Sequence, residues 1–228
     1  MKYDYESEEY HQIRHPELIA DKELRFAWSH FADMAYFQSV KEGHAVLEFG
    51  GGLGNNLLTV ARRAKIWMVE PSSLGREIAA QDGINVAPDL DGLGEMKFDL
   101  ILCRHVLEHL EHPLQTLTRL CKSLKPGGKL VVAVPCEHGS AMPSNSDIDH
   151  HLYSWNPQTL CNLLTVAGFV APHARFEYYG ARRKLMPLYR RFGGVPYAKM
   201  VRFVGRLFNF RELVVDSLAA DLDMNRHG

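Results

Sequence analysis

The chain has 228 residues, 46% of them hydrophobic and 23% charged, with a formal net charge of −1. This is ordinary globular composition, enough for one sizeable core or for one core with a small subdomain. The balanced charge gives no overall bias toward nucleic acid or membrane, and no apolar stretch approaches the length of a membrane span.

The first residues, "MKYDYESEEY", are acidic and aromatic and lack the positive region and apolar run of a secretory signal. Residues 20 to 42 read as helix, with Leu24, Ala27, Trp28, Phe31 and Ala35 at helical spacing. Strand and helix then alternate. "AVLEF" is a short apolar strand, and "NNLLTVARRA" is predicted as a helix opening directly after glycines. "IWMVE" is a second strand, "SLGREIAAQ" a second helix and "INVA" a weaker third strand. "FDLILC" is a fourth strand, and "LQTLTRLCKSL" a helix with Pro113 at its start. "KPGG" reads as a turn before the fifth strand, "KLVVAVP". "NPQTLCNLLTVAG" is a helix capped by Asn156 and ended by Gly168. "FVAPHARFEYY" is another strand, interrupted by Pro172, and "LVVDSLAADLDM" is the candidate last strand. The four cysteines, at 103, 121, 136 and 161, form no C-x-x-C pair and are expected to be buried free thiols in a reducing compartment, with the cytoplasm the expected location.

This alternation implies an α/β fold: a Rossmann-like, doubly wound, mostly parallel sheet with helices on both faces. No clean linker appears. The expectation is one domain over 1–228, with an N-terminal helical cap (1–42), a cofactor-binding core (43–172) and a basic, aromatic C-terminal extension carrying the last strand (173–228).

Ligands of such sheets bind at the carboxyl ends of the strands where their order reverses. The first strand leads into Glu48-Phe-Gly50-Gly-Gly52-Leu-Gly54. A dinucleotide site wants G-x-G-x-x-G, but position 55 is Asn. An acid two residues before the loop would repel a pyrophosphate, whereas it favours the ammonium and sulfonium of S-adenosylmethionine. Glu70, at the end of the second strand, is placed to accept ribose hydroxyls. Asp89, after the third strand, is placed to meet an adenine amino group; Asp91 is its rival, and a solvated turn acid is an equal reading.

"HVLEH", His105 to His109, fits the H-x-x-E-H pattern of zinc proteases. A protease needs both histidines on a sustained helix and a third ligand. Here the segment follows a strand directly, and Pro113 opens a new helix four residues later.

The stretches "VLEFGGGLGNN", "WMVEPS", "FDLILCRHVLEHLEHP" and "LKPGGKLVVAVP" together resemble class I S-adenosylmethionine-dependent methyltransferases, closest to the ubiquinone and menaquinone biosynthesis group, over roughly residues 40 to 170. The resemblance implies a seven-stranded sheet with an antiparallel last strand. It implies S-adenosylmethionine as cofactor and S-adenosylhomocysteine as product. It maps Glu48, Gly50, Gly52 and Gly54 to the methionine part, Glu70 to the ribose, Asp89 and Leu90 to the adenine, and the backbone at Cys103 and Arg104 to the pocket floor. Related quinone O-methyltransferases can hold a divalent ion with E-x-x-E-H at this place; His105, Glu108 and His109 would be the counterparts here. A structural turn without an ion is the preferred reading, and no residue is assigned to a metal.

A hydroxyl acceptor also needs a base. Candidates are His150 and His151 in "SDIDHHLYSW", with Asp147, Asp149 and Tyr153 nearby, and secondarily His105. The span 173–211 is strongly basic and aromatic, with Glu177 as its one acid. A solvated cationic face comes first; an anionic or lipid- or sugar-linked small-molecule acceptor, or peripheral contact with a membrane, are the functional alternatives. No specific nucleic-acid module is visible. The expected function is methyl transfer to a small molecule; a non-catalytic cofactor- or partner-binding protein on the same fold is the alternative, and a zinc protease a remote one.

Overall fold

The computed structural model describes residues 8–137 and 149–220. A seven-stranded sheet forms its centre, in the order β3-β2-β1-β4-β5-β7-β6. The strands are β1 (Ala45–Phe49), β2 (Lys65–Val69), β3 (Asn85–Ala87), β4 (Phe98–Arg104), β5 (Leu124–Pro135), β6 (Phe169–Tyr178) and β7 (Arg211–Ala219). β7 runs antiparallel between β5 and β6, and the other neighbouring pairs are parallel. The order reverses between β1 and β4, which sets a crevice at their carboxyl ends.

Alternate residues of the apolar strands feed two cores, because successive side chains leave a strand on opposite faces. Val46, Leu100, Leu102, Val131 and Ala133 enter one core with α3 (Lys22–Tyr36) and α8 (Gly194–Leu207). Leu47, Ile101, Cys103, Leu130 and Val132 enter the other with α5 (Pro113–Ser123) and α6 (Pro157–Val166).

Several predicted boundaries hold closely. α4 runs Ser73–Gln81, capped by the Ser72 side chain accepting from Gly75 N. α6 starts at a reciprocal cap between Asn156 and Thr159. α3 buries Leu24, Ala27, Trp28, Phe31 and Ala35, and the Asp21 side chain caps it.

Four expectations change. Residues 55–64 do not form an α-helix; they make turns and a single 3-10 turn at Val60–Arg62. Two of their polar side chains have tertiary partners instead: Asn56 donates to Glu48, and the Thr59 hydroxyl meets Ser29. "KPGG" lies inside β5, where the pairing with β4 slips between Phe98 and Leu100. Of the cysteines only Cys103 is buried, and Cys136 is exposed. Two short helices, α1 (Glu8–Arg14) and α2 (Pro16–Ala20), precede α3.

α7 (Met186–Phe192) and α8 occupy the connection from β6 to β7, so the basic segment is an insertion in the sheet's own path. α8 lies close against β6 at Gly205. A Cβ there would stand 2.4 Å from Tyr179 N and 2.8 Å from Tyr178 C, with only backbone to yield. Gly205→Ala is therefore expected to lower stability by about 1–3 kcal/mol, measured by denaturant unfolding; an unchanged midpoint would show that the helix seats otherwise.

Candidate functional site

Glu48, the fourth residue of β1, is 1% exposed. Asn56 Nδ2 donates to its Oε1 (2.5 Å), while Oε2 is buried with no hydrogen-bond partner. Burial, only partly offset by Asn56, pushes its carboxyl up to about 8. Gly50, Gly52 and Gly54 all take positive φ. At Gly50 (φ 70°) a Cβ would lie 2.4 Å from the Val106 side chain, so glycine lets the loop close onto the segment after β4. The loop amides turn inward: Gly50 N donates to Val69 O (2.8 Å), and Gly52 N to Glu70 Oε2 (2.8 Å).

Glu70 is 4% exposed, and its Oε1 accepts Ser72 N at 3.0 Å. His11 of α1 stands over it, with Nε2 3.5 Å from Oε1. α1 thus covers this end of the crevice, and Arg14 Nη2 reaches Asp149 Oδ2 at 3.0 Å across it. The sequence carried no helical periodicity to announce α1. Asp89 is exposed and accepts Gly92 N at 2.9 Å, closing its own turn, beside buried Leu90. Cys103 is wholly buried, and burial raises its thiol.

A second polar centre lies at the ends of β4 and β7. Glu212, 0% exposed, accepts from Arg104 Nη2 (3.0 Å), His105 Nε2 (2.8 Å) and the Tyr36 hydroxyl. Burial alone would raise its carboxyl, but Arg104 and His105 outweigh it and hold it at about 2. His105 sits at φ 54°, half-buried, and burial with the Arg104 charge lowers its ring below the ordinary value. Its Nδ1 is 3.8 Å from Glu108 Oε1. Beside this centre is a cavity of about 530 Å³ whose lining includes Cys136, Tyr179, Arg182, Asn209, Phe210 and Arg211. Arg182 stacks on Trp28, its Cζ 3.7 Å from a ring centroid. Glu212 and Tyr36 escaped the sequence reading, and Arg182 was visible only as one cation of the basic span; no local pattern marks residues that meet from α3, β4, the β6 exit and β7.

"HVLEH" is not a sustained helix. After His105 it makes one 3-10 turn, Leu107–His109, and its two histidines part. His105 goes to Glu212, while the His109 ring lies 4.9 Å from that of His151. The pair that a zinc protease requires is therefore not formed. A different set comes together: Glu108, His109 and His151 offer ligand atoms all within 4.8 Å of one another. Glu108 is 0% exposed, neither carboxylate oxygen has a hydrogen-bond partner, and burial raises it to about 7. One carboxylate and two imidazoles suit a divalent transition metal with an open position, which would supply a Lewis acid or an acidified water. His151 Nδ1 also meets Glu137, and His150 is exposed at φ 43°. Asp147 lies outside the described residues.

A family model described as a methyltransferase domain matches residues 12–173. The chain belongs to the class I S-adenosylmethionine-dependent methyltransferases. A ubiquinone/menaquinone biosynthesis C-methyltransferase of Laribacter hongkongensis is 29% identical over 48% of this chain and 49% of its own length. The chain spans about half the length of the curated relatives it matches. Phosphoethanolamine N-methyltransferase 2 of Haemonchus contortus, solved with S-adenosylhomocysteine, has a TM-score of 0.61 at 13% identity, covering 92% of this chain and 59% of that one. An S-adenosylmethionine-dependent methyltransferase of Aquifex aeolicus gives 0.57 at 17%, covering 90% and 98%. At these identities the likeness is one of fold.

Two outcomes follow from this geometry. Glu48 is held at about 8 against 4.5 in the open chain, so its contribution to stability is full below 4.5 and is lost as pH rises through 8. Glu48→Gln should unfold like wild type in acid and become progressively the more stable of the two, without ligand, from about pH 4.5 to about pH 8; parallel curves would refute the buried orphan carboxyl. Zinc should bind saturably and raise the melting temperature, and His151→Ala should abolish both effects, read by elemental analysis and thermal melting.

Proposed function

We propose that this methyltransferase moves a methyl group from S-adenosylmethionine to a small anionic acceptor held in the cavity beside Arg104 and Glu212. The observation that carries the cofactor assignment is Glu48 Oε2, buried and without a partner at the switch point of the sheet. A buried carboxylate needs an opposite charge, and the ammonium of the methionine part provides one. With that charge in place the Glu48 carboxyl ionises, since a nearby cation favours the charged form. Glu70 keeps lone pairs for the ribose hydroxyls beside its two amide partners, once His11 has moved aside. Gly50, Gly52 and Gly54 hold the methionine part, Cys103 and Arg104 supply floor backbone, and Leu90 and Asp89 border the adenine. When bound, S-adenosylmethionine supplies an activated methyl carbon open to in-line displacement.

The chain's own part is to orient the acceptor and to take its proton. We assign the base to His105 in preference to His150 and His151. Its Nε2–H is committed to Glu212, which leaves Nδ1 as the basic nitrogen. Glu212 is a positioning residue: it fixes the tautomer and holds the ring at a backbone φ that a histidine rarely takes. Arg182 and Arg211 line the cavity together with an acid, Glu137, which already meets His151, and this excess of positive charge favours an anionic acceptor.

Isothermal titration tests the cofactor half. S-adenosylmethionine should bind, NAD should not, and Glu48→Ala should weaken the former by at least about tenfold; the opposite preference overturns the reading. Labelled methyl transfer into fractionated metabolites tests the catalytic half. Its rate should rise with pH through a His105 value below 6.5. Glu212→Gln removes a group that favours the imidazolium, so the rising limb should move to lower pH while the maximal rate falls. An unshifted limb would remove His105 from the role.

A further inference from the structure

Between Glu177 and Glu212 the sequence has nine Lys or Arg and no Asp or Glu. Charge segregation of this kind usually means a solvated face. What departs from that is the apolar exposure. Seven of the fifteen exposed large hydrophobic side chains among the described residues fall between 192 and 210.

α8 explains their arrangement. Its inward face buries Tyr197, Ala198, Val201 and Gly205. Met200, Phe203 and Leu207, spaced i, i+3, i+7, share another face, and Phe203 and Leu207 are 61% and 67% exposed. Lys199 and Arg206, both exposed, fall beside that stripe. At the helix exit Phe208 and Phe210 are 62% and 59% exposed, with their ring centroids 6.3 Å apart. Arg202 does not join this face, since Glu177 binds it through both Nε (2.6 Å) and Nη2 (2.7 Å).

We propose that the outer face of α8, with Phe208 and Phe210, docks on the surface of an anionic phospholipid bilayer. Aliphatic and aromatic side chains flanked by Lys and Arg are what a helix lying in a charged lipid interface requires. A second copy of this chain suits the face less. A two-fold contact would bring Lys199 and Arg206 against their own counterparts, and no acid lies between 178 and 211 to answer them. RNA would use the cations and the rings but gains little from Met200 and Leu207. No helix among the described residues is long and apolar enough to cross a membrane, so the contact is peripheral. Asn209 and Phe210 also line the 530 Å³ cavity, so docking sets that cavity beside the lipid. The docking stands without the methyl-transfer reading; only the further step, that the acceptor is drawn from the bilayer, rests on it.

Co-sedimentation with vesicles tests the docking separately from activity. Wild-type protein should pellet with phosphatidylcholine vesicles containing a quarter phosphatidylglycerol, and far less with phosphatidylcholine alone or in high salt. Phe203→Ser with Leu207→Ser should cut binding by at least about tenfold, with the melting temperature and S-adenosylmethionine binding unchanged. Lys199→Gln with Arg206→Gln should lose the preference for anionic vesicles. The proposal is overturned if wild type pellets with neither vesicle, or if the Phe203/Leu207 variant binds as wild type does. It is equally overturned if sedimentation velocity shows a dimer that this variant dissociates, or if single-stranded RNA captures the protein through the same residues.

Discussion

One buried carboxylate organises the reactive end of this molecule. Glu212 has no exposed surface, yet it accepts hydrogen bonds from Arg104, His105 and Tyr36. A charge taken so far from water survives only when fully paired, and each partner is fixed in turn by the need to pair it. The direction of β7 makes this possible. The parallel strands bring their carboxyl ends to the crevice, while β7 runs the other way and brings its beginning. Its second residue therefore arrives where the last residues of β4 finish. A parallel seventh strand would have put that carboxylate at the opposite ends of the strands, away from the crevice.

Two buried acids near the crevice show the same chemistry with opposite outcomes. Glu212, surrounded by donors, stays ionised at about 2, whereas Glu48, with one amide donor and one orphan oxygen, is pushed to about 8. Glu108 is a third case, with both oxygens unpartnered and a value near 7. The first reads as a finished electrostatic assembly. The other two are half-finished, each lacking a positive partner.

The succession of strands and helices and the places of the glycine loop, Glu48 and Glu70 were legible in the sequence because each depends on local pattern: apolar runs, a turn, and acids at the ends of strands. The basic segment was legible as composition, though not as two helices inserted between β6 and β7. What escaped was long-range. Glu212 lies more than a hundred positions from His105, and nothing near "RELVV" distinguishes it from a surface acid. From the sequence, His150 and His151 come ahead of His105 as base, with no local sign that His105 meets buried Glu212. The expected helix over 55–64 had adequate periodicity, but Asn56 and Thr59 were claimed by Glu48 and Ser29. "HVLEH" misled in a further way: its spacing suggested one site, and the backbone sends its two histidines to different partners.

α1 bridges two parts of the crevice. It rests on the crevice through His11 against Glu70 and through a partly exposed ion pair, Arg14 with Asp149. On the proposed seating of the ribose at Glu70, the His11 ring occupies the same space and would be displaced as the cofactor enters. The Arg14–Asp149 pair itself adds little, since partly exposed pairs contribute at most about 1 kcal/mol and are screened by salt. Asp149 immediately precedes His150 and His151, so this pair ties α1 to the segment that carries them. On the proposed function, α1 thus links the ribose seat at Glu70 to the histidine segment through two side chains of one short helix, His11 and Arg14.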